Sequence, residues 1–89
     1  MKIFTRPSFD RALKNLSAEE RLEIKSAAVK LSEAFGKPHI HAGIGLRRVG
    51  KYFEFRAGMK LRVLFVIDQG DAILVTVGNH DDIARFVRS

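Results

Sequence analysis

The spacing of apolar residues changes once along this chain, and the change divides it into a helical first half and a strand-rich second half. Phe9, Leu13 and Leu16 fall at i, i+4 and i+7, a single helical stripe. Lys2 to Thr5 before them reads as a short strand. Pro7 breaks that strand, and Ser8 is placed to cap a helix running to about Leu16. Ser17 with Glu20 three residues on has capping-box spacing and opens a second helix. Its buried stripe is expected at Ile24, Ala28, Leu31 and Phe35, with Gly36 as a C-terminal stop and Pro38 preventing continuation. The single residue Ser17 leaves no room for a long link, so the two helices form an antiparallel hairpin.

Beyond Gly36 the period becomes two. In Lys51 to Ala57, Phe53 and Phe55 point one way and Tyr52, Glu54 and Arg56 the other. Leu61 to Asp68 is apolar on both faces apart from Arg62 and Asp68, and Asp71 to Gly78 is another mostly apolar strand. Strands of that kind are covered on both sides. Gly58-Met59-Lys60 and Gln69-Gly70 are turns of hairpin length. An earlier strand is expected over Gly45 to Val49. Asn79 or Asp81 can cap a last helical turn or two through Ile83, Phe86 and Val87. The predicted order is β-α-α-β-β-β-β-α. It gives an α+β fold: an N-terminal helical hairpin packed on a mainly antiparallel four- to five-stranded sheet, with a short C-terminal helix. At 89 residues this is one domain, residues 1–89.

Composition narrows the function classes. There is no cysteine, which excludes disulfide frameworks, thiolate zinc sites and cysteine nucleophiles. No apolar run approaches the roughly 18 residues of a membrane span, and Met1 to Asp10 lacks a signal-peptide core, so a cytoplasmic protein without membrane partners is expected. Between Lys37 and Arg62 lie Lys37, Arg47, Arg48, Lys51, Arg56, Lys60 and Arg62, against the single acid Glu54. This segment alone accounts for the net charge of +6. Such a concentration of charge attracts polyanions and points to nucleic acid or an acidic partner rather than to mere solubility.

If Arg56 and Arg62 pair across the Gly58–Lys60 turn, Phe53 opposes Phe65 and Phe55 opposes Val63. The two arginines then share a face with Glu54. Like charges so placed repel, and an anion relieves the repulsion. Arginine's fork suits phosphate oxygens. His80, at the end of the last strand, is the natural acid–base group; otherwise it is a surface or capping histidine beside Asp81 and Asp82. Glu54 reads as an arginine partner before it reads as a base. Tyr52 either stacks on a base or packs. His39, His41, His80 and Asp82 could be drawn together as a zinc set, but His-x-His spacing alone does not specify one, and no metal is expected.

Taken together, Leu46-Arg47-Arg48, Tyr52-Phe53-Glu54-Phe55-Arg56, Leu61-Arg62-Val63-Leu64-Phe65 and Ile73 through Val77-Gly78-Asn79-His80-Asp81-Asp82 resemble the RelE/ParE toxin superfamily, as do the helix pair and Gly36-Lys37-Pro38. The resemblance covers nearly the whole chain. It implies the toxin of a bacterial type II toxin–antitoxin system, partnered by a cognate antitoxin. The activity implied is either metal- and cofactor-independent endoribonuclease cleavage of mRNA on the ribosome or inhibition of DNA gyrase. A non-catalytic RNA- or protein-binding module on the same fold is the further alternative. Under the ribonuclease reading Arg62 faces the scissile phosphate, Arg56 an adjacent phosphate, and His80 takes the position of a catalytic arginine or histidine. Arg47, Arg48, Lys51 and Lys60 are expected to bind RNA, and His39 lies near a catalytic glutamate of one subgroup. Tyr52 and Glu54 replace the lysine pair of the RelE branch, and Phe86 stands where a terminal-helix tyrosine is found.

Overall fold

The computed structural model describes residues 1–34 and 45–89. Element order is β1 (Ile3–Thr5), α1 (Pro7–Leu13), α2 (Ala18–Ala34), β2 (Arg47–Val49), β3 (Tyr52–Ala57), β4 (Leu61–Asp68), β5 (Asp71–Gly78) and α3 (His80–Arg88). The five strands form one sheet in the order β1-β5-β4-β3-β2, with β1 parallel to β5 and the other pairs antiparallel. This is the predicted α+β architecture.

The alternation read in the second half decides what each face of the sheet buries. Phe55, Val63, Phe65 and Leu74 pack with Phe9 of α1 and Ile24, Ala27, Leu31 and Ala34 of α2, and half-buried Phe53 joins them. Leu64 and Val75 on the opposite face pack with Ile83 of α3, joined by Val49, Tyr52, Val66, Phe86 and Val87. Each large side chain so buried contributes roughly 1.5–3 kcal/mol. The central strands are therefore covered from both sides, by α1 and α2 on one face and by the short α3 on the other.

The α2 stripe differs in detail from expectation. Ile24 and Leu31 are buried as predicted, but Ala27 and Ala34 complete the stripe, while Ala28 is half-buried. Phe35, Gly36 and Pro38 lie outside the described residues. Ser17 and Glu20 form the expected reciprocal cap: Glu20 N–H donates to Ser17 Oγ (3.1 Å) and Ser17 N–H to Glu20 Oε1 (2.9 Å).

Helix α1 does not begin at a Ser8 cap. Arg6, in extended conformation, occupies the cap position, and Pro7 is the first helical residue, where its missing N–H costs nothing. Ser8 instead donates its hydroxyl to the carbonyl of Val75 at 2.5 Å. Val75 is the extra residue of a β-bulge: Leu64 lies opposite Thr76 and Phe65 opposite Leu74. The bulge moves the inward alternation of β5 from Ala72 and Leu74 to Val77. It also brings Gly78 opposite Arg62. The helix that follows thus starts beside the charged end of β3 and β4.

Candidate functional site

The register places the charged residues. Arg47 lies directly opposite Glu54 across the β2–β3 ladder, and Glu54 opposite Leu64 across β3–β4. Arg56 and Arg62 are cross-strand partners, as the length of the Gly58–Lys60 turn predicts. Glu54 is only 1% exposed. Its Oε1 accepts from Arg47 Nε at 3.0 Å and from Arg62 Nη1 at 2.9 Å. The arginine side chains are 57% and 27% exposed, so the anion is at the bottom and the cations open to solvent. Loss of either arginine would leave a buried carboxylate with fewer donors, which ties the placement of Glu54 to its two arginines.

On the same face α3 and the β2–β3 edge enclose a groove of about 250 Å³ lined by Arg47, Val49, Glu54, His80, Ile83, Ala84, Val87 and Arg88. His80 is the first residue of α3 and is exposed. Asn79 caps this helix: its side chain accepts from Asp82 N–H at 2.8 Å, and its own N–H donates to Asp82 Oδ2 at 2.9 Å. The cap leaves the imidazole of His80 uncommitted to the helix end. Gly78 permits the return of the chain, because a Cβ there would collide with the side chain of Asp82. Arg88 is a further residue of this groove, beyond those expected from the sequence. Its signal is the four-residue spacing of His80, Ala84 and Arg88, which sets them on one side of α3.

The arrangement gathers Arg47, Glu54, Arg62 and His80 on one face. Exposed Arg56, one residue before the end of β3, is the cross-strand partner of Arg62, but its side chain runs across Gly45 and lines a cavity with Glu19, Glu23 and Lys30 of α2. Gly45 has a φ of +64°, a conformation that favours glycine; a Cβ there would meet only the flexible Arg56 side chain, which can move aside. Tyr52 lies edge-on to Phe86 with ring centroids 5.9 Å apart, as a packing residue, and the Lys51 ammonium sits 5.5 Å from the Tyr52 ring. Two further basic residues are not gathered there. Arg48 is the cross-strand partner of Phe53 and stacks on its ring at 5.0 Å, on the face of α1 and α2. Lys60, in the β3–β4 turn, lines a cavity with Glu20 and Glu23 of α2. His39 falls outside the described residues.

Solved structures share this architecture. The RelB-RelE antitoxin–toxin complex from Methanococcus jannaschii matches with a TM-score of 0.66 at 15% identity, over 93% of this chain and 96% of that one. The chain has the fold of the RelE-type toxins. YafQ from Escherichia coli matches with a TM-score of 0.64 at 10% identity, over 92% and 96% of the two chains. The RelBE2 toxin–antitoxin complex of Mycobacterium tuberculosis matches with a TM-score of 0.55 at 21% identity, over 89% and 96%. No family model and no curated protein matches the sequence. At these identities the likeness is one of fold.

Proposed function

We propose that this protein is the toxin of a cytoplasmic toxin–antitoxin pair and that it cleaves mRNA on the ribosome as a metal-independent endoribonuclease. The observation that carries the reading is the convergence of Arg47 and Arg62 on Glu54 beside a groove that also holds His80. Cleavage by transesterification passes the 2′-hydroxyl proton to solvent water as the 2′-oxygen bonds to phosphorus, and breaks the bond from phosphorus to the 5′-oxygen. The phosphorane between these states needs cations, and the departing 5′-oxygen needs a proton. Arg62 supplies the cation at the scissile phosphate, Arg56 holds a neighbouring phosphate, and the imidazolium of His80 delivers the proton. Arg47 and Lys51, on or beside the same face, extend the attraction for RNA, and Arg48 and Lys60 raise the overall field.

The antitoxin follows from the same reading. Two of the structural neighbours are complexes of a toxin with its antitoxin. A partner of this chain would be acidic, or present acids to the Arg47–Arg62 face, and would cover the groove beside α3.

The test is cleavage of mRNA on programmed ribosomes by the purified protein, run beside a gyrase supercoiling assay. Cleavage with supercoiling untouched is expected. Blocked supercoiling without cleavage would move the protein to a gyrase-directed toxin. Inactivity of the folded protein in both assays would leave a non-catalytic binding module.

A further inference from the structure

Arg47 and Arg62 come from strands on opposite sides of β3, yet both donate to the same atom, Oε1 of Glu54. Two guanidiniums bonded to one oxygen lie within about one phosphate group of each other. Without an anion between them they would repel. Glu54 supplies that anion from beneath, at 1% exposure, so neither guanidinium has to be ordered when a second anion arrives from solvent. One N–H of each arginine is engaged by Glu54, and both side chains retain exposed surface.

We propose that Glu54 is a positioning residue that sets Arg47 and Arg62 as the two prongs of one phosphate clamp, with Arg47 the second ligand of the phosphate that Arg62 meets. The ligand class is a phosphodiester or phosphate monoanion. The assignment of that phosphate to RNA rests on the ribonuclease reading; the clamp itself does not. Glu54 carries no proton in this scheme and does not touch the substrate. Its effect passes through the two arginines.

Two measurements on the full chain test this. The first follows the Nε–Hε NMR signals of Arg47 and Arg62 during titration with inorganic phosphate. In the wild-type protein both signals move along one binding curve. In Glu54→Ala the two curves separate, because nothing holds the guanidiniums together. The second is single-turnover cleavage of RNA with affinity measured on a 2′-deoxy analogue that cannot be cleaved. Glu54→Ala lowers the cleavage rate on the order of 10²-fold, the size of effect expected from misplacing a reacting group by about an ångström. Affinity for the analogue does not fall, because removal of a negative charge strengthens long-range attraction. Glu54→Gln, which keeps an oxygen acceptor for both arginines, loses less than Glu54→Ala, and a melting curve for each variant separates clamp loss from unfolding.

Response of Arg62 alone to phosphate, or a Glu54→Ala variant that cleaves as fast as wild type, would overturn the clamp. A wild-type protein that cleaves no RNA would overturn the ribonuclease reading instead, and the phosphate titration would still decide the clamp.

Discussion

Glu54 and Arg62 are bonded at 2.9 Å although they are not register partners: Glu54 sits opposite Leu64, and the Arg62 guanidinium reaches diagonally along β4 to the carboxylate. Arg47 reaches the same oxygen from the other side. Stability should therefore depend on the two arginines jointly. Arg47→Ala or Arg62→Ala alone leaves Oε1 with one donor. The double variant leaves a carboxylate at 1% exposure with neither. A double-mutant cycle by urea unfolding should give a coupling energy of roughly 0.5–3 kcal/mol, with the double variant less stable than the sum of the singles predicts. Additive losses would mean that the two bonds to Glu54 are energetically independent.

The end of β5 offers a second prediction. Asn79 and Asp82 cap α3 reciprocally, and Gly78 leaves room for Asp82 to close against the strand. Asn79→Ala should cost about 1 kcal/mol. Gly78→Ala should cost more, since the added methyl group displaces Asp82 and with it the apolar face of α3 that covers Leu64 and Val75. Thermal unfolding of both variants checks the order. Equal or reversed losses would show that the approach of Asp82 to Gly78 matters less than its geometry suggests.

A partner protein is the third expectation. The groove beside α3, lined by Val49, Ile83, Ala84 and Val87 together with Arg47 and Arg88, suits a ligand that is apolar as well as acidic, and an antitoxin that occupies it would compete with RNA. Calorimetry with the product of the adjacent open reading frame should show association well below micromolar concentration, weakened by Arg47→Ala. Absence of binding between two folded proteins at micromolar concentration would count against the toxin–antitoxin assignment.

Much of this was legible in the sequence because the β3–β4 hairpin is governed by a short turn. Its length sets Arg56 opposite Arg62 and Phe53 opposite Phe65, and two-residue alternation then assigns the faces. The bulge at Val75 was not legible: both faces of β5 are apolar, so an inserted residue leaves no mark on the pattern. Ser8 misled for a related reason. A serine after a strand-breaking proline is a cap by local rules, but the bulge presents it with the Val75 carbonyl. Glu54 could be read as an arginine partner, but which arginines it joined depended on the β2–β3 register, which short β2 does not advertise. Arg48 looked equivalent to Arg47 because adjacent residues in a strand differ only in face.

Arg62 and His80 are expected to act together on one phosphodiester. Arg62→Ala should slow single-turnover cleavage of mRNA on programmed ribosomes on the order of 10²–10³-fold. Lys14→Ala, on the exposed surface next to α1, serves as the control and should cost little. The most direct measurement is the cleavage rate of His80→Ala on two substrates, one with the natural 5′-oxygen and one with sulfur in its place. Sulfur leaves without needing a proton. If His80 is the acid, the variant loses on the order of 10²–10⁴ in rate on the oxygen substrate and recovers nearly wild-type cleavage on the sulfur one. An equal loss on both substrates, or no loss on either, would contradict the assignment of His80 as the group that protonates the leaving oxygen.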